Sequence, residues 1–548
     1  MTLRRLRALL PPAPSGGALL CAAALFFALA ASSPAPVRAA DPQLQSQMQN
    51  ARRALTRGQF QQAAEAYRKI LGARPLDGAA AAGLAEALVG LKKVAEADSV
   101  IAAALGKVSA PADLYQLRAR IRRSQDRPVE AFQDVVSLLD ADIERAPWAF
   151  RETRDMLNGG LDAARAVDLA DAARRAHPGS VPFAVLTALI HGLDGRAEEG
   201  LRLLLADEES QKLRGKALLL YADHMLALGH EGAGVSALES AADRLDDPAQ
   251  RSVVLFRVAE VHETQGRYAA ALAALERITA ERPGTGAAGK ALLASADIHQ
   301  RYLKDPGSAL AVYRRIQDDP MLGHRRPEML LQMADCYVRL GDLDEGARTY
   351  ASVIPEAVDP EHAETAAYKL AEVEFFRGNI DSALVLYQDM AQAHPRSLLA
   401  DDAAGRYILL NKYLLVGGGT AAQLLGRMAW GVLVGDSAAV DSSATLLIEN
   451  WGEGELAAEA YLGLADLAER SGRYPDAIDY LERLVAGHAD DPRAPLALRR
   501  QGDILVQHLS RPRDALIRYE TILTDYPNSV QAGEARRLVE TLRRDLKS

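Results

Sequence analysis

The chain has 548 residues, 49% hydrophobic but only 5% aromatic, with 25% charged, two cysteines and a formal charge of −9. The apolar fraction is ample for a core and excludes wholesale disorder. Its Ala/Leu bias, with few β-branched or aromatic runs, excludes a mostly β fold, and two cysteines exclude a disulfide scaffold. The acidic balance argues against nucleic acid as a partner, since a basic face is needed to release phosphate counterions.

In chain order, residues 1–40 read as a signal peptide. Arg4, Arg5 and Arg7 form a basic start, Ala18 to Ala31 an apolar run, and Val37-Arg38-Ala39 places small residues at −3 and −1 of a cleavage site after Ala39. The run is shorter than the roughly 20 residues a membrane span needs, so no stable transmembrane anchor is expected after processing. A retained leader would instead be an anchor. Cys21 follows Leu20 where a lipoprotein signal wants a small residue, and reads as a passenger. Removal takes away four arginines and no acid, leaving −13 and a single cysteine, Cys336. The mature protein is expected in the periplasm or cell envelope.

Residues 41–250 hold divergent helical repeats after a polar lead-in, and the repeat becomes plain over 251–397. Gly58, Phe60, Ala63, Tyr67 and Pro75 share their spacing with Gly266, Tyr268, Ala271, Leu275 and Pro283, and with Gly378, Ile380, Ala383, Tyr387 and Pro395. Gly472, Tyr474, Ala477 and Leu481 repeat it in the 451–527 stretch, while Ala309/Tyr313 and Ala515/Tyr519/Pro527 lack the glycine. Glycines at 229, 266, 341 and 378 give a period of 37. Each position has a physical reason. An amphipathic helix precedes each glycine, which supplies the positive φ of a helix C-terminus. The Ala lets two helix backbones approach, and proline ends the second helix. Ser180, Thr285, Ser397 and Ser529 are placed to cap the next helix. Residues 398–450 lack repeat marks and are interrupted by Gly417-Gly418-Gly419. They read as two degenerate helical pairs with a hinge between two arms. Residues 528–548 read as a charged capping helix.

This pattern resembles the tetratricopeptide repeat. The resemblance implies an all-α fold: an α-solenoid superhelix of about 13 helix–turn–helix repeats with a C-terminal capping helix. It also implies a protein-binding role. A period of 37 rather than 34 departs from the family, implying longer helices or loops. Leu91-Lys92-Lys93-Val94 lacks the glycine, and Gly200 and Gly234 stand where the small Ala belongs.

Chemistry is hard to find. Gly284 to Lys290 fits GxxxxGK, but Ala291 stands where a phosphate loop needs Ser or Thr, and a helical pattern precedes it. It reads as an inter-repeat loop with Thr285 as a cap. His262-Glu263 starts like a zinc-protease helix but has Gly266 where the second His belongs. Cys336 reads as a buried small residue, and the Asp246-Asp247 and Asp318-Asp319 pairs as loop acids. No catalytic, cofactor or metal site is expected.

What remains is a surface. The family's first helices line a concave groove, which the resemblance populates with Val253, Phe256, Glu260 and Glu263, then Glu328, Leu331, Asp335 and Arg339. Thr365, Tyr368, Glu372 and Phe375 follow, then Glu459, Leu462, Asp466 and Glu469. The expected partners are other proteins or peptide segments, basic or neutral; alternatively the apolar members merely pack between repeats. The function so implied is a non-catalytic exported scaffold. The alternative is a helical accessory part of an envelope enzyme or of an outer-membrane assembly or secretion complex.

Overall fold

The structure is a computed structural model describing residues 42–317, 326–452 and 454–546. The leader with its Ala39 cleavage site, and the Asp318-Asp319 pair, lie outside the described residues. The chain is 82% helical, with 27 helices and no strand among the described residues. Contacts divide it into two compact bodies, Met1–Pro283 and Gly284–Ser548. The first holds seven consecutive helix pairs. The second holds six and a final helix, Ala532–Asp545. The architecture is an all-α solenoid.

Every turn inside a pair contains one residue at positive φ. The series runs Gly58, Lys92, Asp126, Gly160, Gly195, Gly229, Gly266, Lys304, Gly341, Gly378, Gly435, Gly472 and Ser510. Lys92, Asp126, Lys304 and Ser510 take the left-handed conformation despite the steric cost of a Cβ, which is why glycine spacing alone missed those pairs. The series also corrects the period. Turns from Gly58 to Gly229 are 34 or 35 residues apart, and those from Gly229 to Gly378 are 37 or 38. A uniform period of 37 does not hold.

Five residues beyond most turns lies a small residue that lets the second helix close on the first. Ala63, Ala97, Ala131, Ala271, Ala309, Ala383, Ala477 and Ala515 are all 0% exposed. Gly200 and Gly234 belong to the same column under tighter conditions. A Cβ on Gly200 would stand 2.5 Å from the Ala188 carbonyl oxygen, and one on Gly234 2.7 Å from Leu226 Cγ. One pair departs from the pattern: Ala163–Ala176 packs on Pro128–Ala141 and Val181–Leu193 rather than on its own partner Ala146–Asn158.

The expected hydroxyl caps are mostly replaced. Thr285 accepts from the Ala288 N–H at 3.3 Å, but Ser397 bonds only the Leu399 N–H, and Ser180 and Ser529 do not cap their helices. Asp77, Asp162, Asp247, Asp359 and Asp436 cap instead, each accepting a first-turn N–H at 2.8–3.1 Å. A carboxylate adds attraction to the positive helix end.

Residues 398–450 are neither two pairs nor a boundary between bodies. They form three helices inside the second body: 400–417, 419–434 and Ser437–Trp451, the first two meeting at Gly418 (φ 70, ψ −169). The Gly378-to-Gly472 gap is 94 residues, two periods of 37 plus 20. Gly435 lies 37 residues before Gly472, so the excess precedes it and is supplied by 400–417. Five, nine and twelve residues past Gly435 stand fully buried Val440, Ala444 and Leu447, so 419–434 is the first helix of an ordinary pair with Ser437–Trp451.

Candidate protein-binding site

Six residues before the turn, the first helices carry Asp223, Glu260, Asp335, Glu372 and Asp466; Asp503 stands seven before Ser510. Glu260, Asp335, Glu372 and Asp466 are among the acids expected to meet a basic ligand; Asp223 and Asp503 were not singled out. Most are already engaged within the chain. Tyr350 Oη donates to Asp335 Oδ1 and Tyr387 Oη to Glu372 Oε1, both at 2.5 Å, and Tyr519 Oη to Asp503 Oδ1 at 2.8 Å. These tyrosines are buried in the second helix of the same pair. Burial, and after it the facing carboxylate, pushes the Tyr387 hydroxyl far above its usual pKa, so it stays a donor.

A base from the next pair completes each contact. Lys369 Nζ lies 3.9 Å from Asp335, Arg406 Nε 3.3 Å from Glu372, and Arg500 Nη2 2.5 Å from Asp466. Arg257 pairs with Asp223, and Arg493 with Glu459, which also accepts from Tyr413 Oη at 3.0 Å. Each base lies 34 residues after its acid: one period of 37 less the three residues of a helical turn. Against the pull of burial, Asp491 and Glu459 hold the Arg493 guanidinium above its usual pKa. Arg500 also reaches Glu469 at 2.7 Å. The spacing was present in the sequence, but only the packing shows that residues 34 apart face each other.

The apolar members divide. Leu331 and Phe375, each 6% exposed, lie in the core rather than on a surface. Their packing positions are filled by neighbouring helices, so neither can meet a ligand directly. Phe256, Thr365, Tyr368 and Leu462 are half-buried, with Tyr368 edge-on to Tyr387 at 6.0 Å between ring centroids. Val253, Glu260 and Arg339 are exposed, while Glu263 and Glu328 are half-buried.

The chemical candidates resolve as packing. Cys336 is 0% exposed and burial lifts its thiol to about 12, so it is not a nucleophile at neutral pH. His262 is 4% exposed, with Nε2 2.9 Å from Glu239 Oε1. The Gly284–Lys290 stretch opens the Gly286–Asp297 helix. Among the described residues no group of three His, Cys, Asp or Glu side chains is placed to hold a metal. None of the helices described is long and apolar enough to cross a membrane.

Between the 400–417 and 419–434 helices lies a cavity walled by Phe375, Leu410, Tyr413, Leu425, Met428 and Glu459.

Family models described as tetratricopeptide repeat match residues 54–121, 328–354, 439–495 and 462–530. The chain is a tetratricopeptide repeat protein. Repeats of this family are generally non-catalytic and serve as scaffolds for protein–protein interaction. No curated protein matches the chain. Among solved structures, it is similar to a structure of Naa15/Naa10 bound to HypK-THB. The identity is 12%, covering 87% of this chain and 99% of that one, with a TM-score of 0.23. It is also similar to the P58(IPK) TPR domain, with 13% identity, 68% and 98% coverage, and a TM-score of 0.23.

Proposed function

We propose that this tetratricopeptide protein is an exported, non-catalytic scaffold of the cell envelope that holds basic or neutral segments of other proteins along its first helices. The observation that carries the charge preference is the balance over 351–500, where 12 Lys and Arg face 23 Asp and Glu. Half-buried Tyr368 and Leu462 in that stretch add apolar contact area. Export rests on the leader sequence.

The test is proximity labelling and pull-down from the envelope fraction, followed by binding measurements on the captured partner. Glu372 is spent on Arg406 and Tyr387, so the informative reversal is at exposed Glu260. Glu260→Lys is expected to weaken binding several-fold. Asp246→Lys, whose only salt bridge joins two highly exposed side chains, should not. Added salt should also weaken binding, since a Debye length of about 8 Å screens exposed charges. A partner indifferent to both salt and Glu260→Lys would rule out the acidic surface. Intact-mass analysis of the exported protein decides whether it begins after Ala39.

A further inference from the structure

The surplus helix 400–417 is covered on one side only. Its inner face, with Ala403, Leu410 and Tyr413, is buried in the core. In an ordinary pair a second helix also closes on the first. Here Gly418 leads straight into the first helix of the next pair, so 400–417 has no second helix of its own. Its outer face is left to solvent, yet it is more apolar than a solvated face needs to be. Ile408 is 65% exposed and Leu415 89%, and Leu398, in the turn that enters the helix, is 96% exposed.

These three share one stripe with Asp401, Gly405 and Lys412, all exposed. From 398 to 415 the steps run three, four, three, four, three, the alternation of a seam that packs against another helix. Gly405 is the odd member. A glycine inside a helix weakens it, and a Cβ at this position would meet nothing within 4 Å. Nothing in this chain needs the residue to be small, whereas a close approach from outside does.

The stripe is its own complement. Turned end to end about an axis between residues 406 and 407, it sets Ile408 over Gly405, Lys412 beside Asp401 and Leu415 against Leu398. The two-fold then repeats each contact. A large apolar side chain meets a hole, a cation meets an anion, and leucine meets leucine. A parallel, in-register pairing lacks this match, because it sets Asp401 on Asp401 and Lys412 on Lys412. Lys412 Nζ lies 2.5 Å from Glu455 Oε2, which takes one of its three N–H donors and leaves two for a second acid.

We infer that 400–417 is a dimerisation helix whose occupant is the same helix of a second copy, antiparallel about a two-fold axis. A helix of about 18 residues is about 27 Å long, short for a stable interface. The dimer therefore belongs at the weak end, with a Kd on the order of 10 μM. This pairing is independent of the scaffold reading, and neither falls with the other.

The test is sedimentation velocity on the full mature chain from about 1 to 100 μM, with melting curves to show that each protomer is intact. The unaltered protein should pass from monomer to dimer across that range. Gly405→Leu replaces a poor helix former where there is open space, so it should raise the melting temperature while weakening association at least tenfold. Asp401→Lys and Lys412→Glu each set like charges against each other in the homodimer, and each should weaken association at least tenfold. Mixed one to one, those two variants regain opposite charges at both ends and should associate about as tightly as the unaltered chain.

A chain that stays monomeric at about 100 μM overturns the inference. A dimer indifferent to Gly405→Leu and to both charge variants does so too, since its contact lies on another face. Charge variants that stay apart when mixed rule out the antiparallel pairing. If the chain is monomeric and Gly405→Leu instead costs it an envelope partner, the face belongs to that partner and not to a second copy.

Discussion

The pairs before Gly229 and those after it are built on two different lengths. First helices of the short pairs, such as Gly78–Gly90, Ala112–Ser124 and Val181–Leu193, have 13 residues. Those of the long pairs, such as Pro248–Thr264, Pro360–Phe376 and Glu455–Arg470, have 16 or 17. The second helices barely change: Pro128–Ala141, Glu231–Arg244, Tyr268–Glu281 and Ile380–Ala393 all have 14. The extra three or four residues amount to one helical turn. With that turn comes a different charge pattern. Six residues before the turn, the early pairs carry Arg52, Glu86, Arg120, Arg154 and Leu189, whereas five of the later ones carry Asp223, Glu260, Asp335, Glu372 and Asp466. The ion pairs at a spacing of 34 begin with Asp223–Arg257, where the length changes. In the short pairs, buried acids follow no such spacing: Glu152 takes Arg123 and Asp207 takes Arg174, each from the preceding pair, while one acid is served within its own pair. Asp134, 1% exposed, takes Arg118 and Arg122. With the longer helix the fastening between pairs becomes regular, at a spacing of 34 residues.

The largest effect should come from what the two regions share. Ala131→Phe in a short pair and Ala383→Phe in a long one should each destabilise by about 1–3 kcal/mol or more, through overpacking of a 0% exposed site. Urea melts check this, and tolerance of either would mean the small-residue column is not common to both. Next comes what they do not share. Glu372→Gln removes a charge held by Arg406 and Tyr387 and should cost about 1–2 kcal/mol. Arg154→Gln, at the matching place in a short pair but half-exposed, should cost about 0–0.5 kcal/mol. Equal losses would break the comparison.

A smaller effect is expected at the turns. Lys92→Gly relieves a left-handed residue (φ 60) and should stabilise by about 0.5–1 kcal/mol in thermal melts; no gain would mean the lysine is unstrained. Smallest is a pH effect in the short pairs. His224 packs edge-on to Phe150, with ring centroids 5.4 Å apart, and burial lowers its pKa. The unfolded chain therefore takes up this proton first as pH falls. Its contribution is present above the ordinary histidine value of about 6.5 and is lost as pH falls toward the lower folded value. His224→Leu should flatten the stability slope between pH 7 and 5, whereas an unchanged slope would exclude His224 as the source.

Much of this was legible in the residues because it is local. The Gly–aromatic–Ala–Tyr spacing reports one helix C-terminus and one helix–helix approach, each decided within about fifteen residues. Where Lys92 or Ser510 replaced glycine, that signal failed, because a left-handed backbone does not demand glycine. The residues chosen for a groove all stand on first helices, but their availability was not readable. Whether Glu372 waits for a ligand or already holds Arg406 depends on a contact made 34 residues away. Leu331 and Phe375 share the helical phase of exposed neighbours and differ only in what packs over them.

The sequence by itself determined an all-helical chain of about thirteen pairs, because helix periodicity, turn chemistry and small-residue contacts are short-range and repeat. Only the tertiary structure decided that 398–450 holds one surplus helix, 400–417, and that most of the acidic column is already neutralised. Those are facts about which surfaces meet, and burial and charge pairing between segments dozens of residues apart leave no periodic trace in a chain of alanines and leucines.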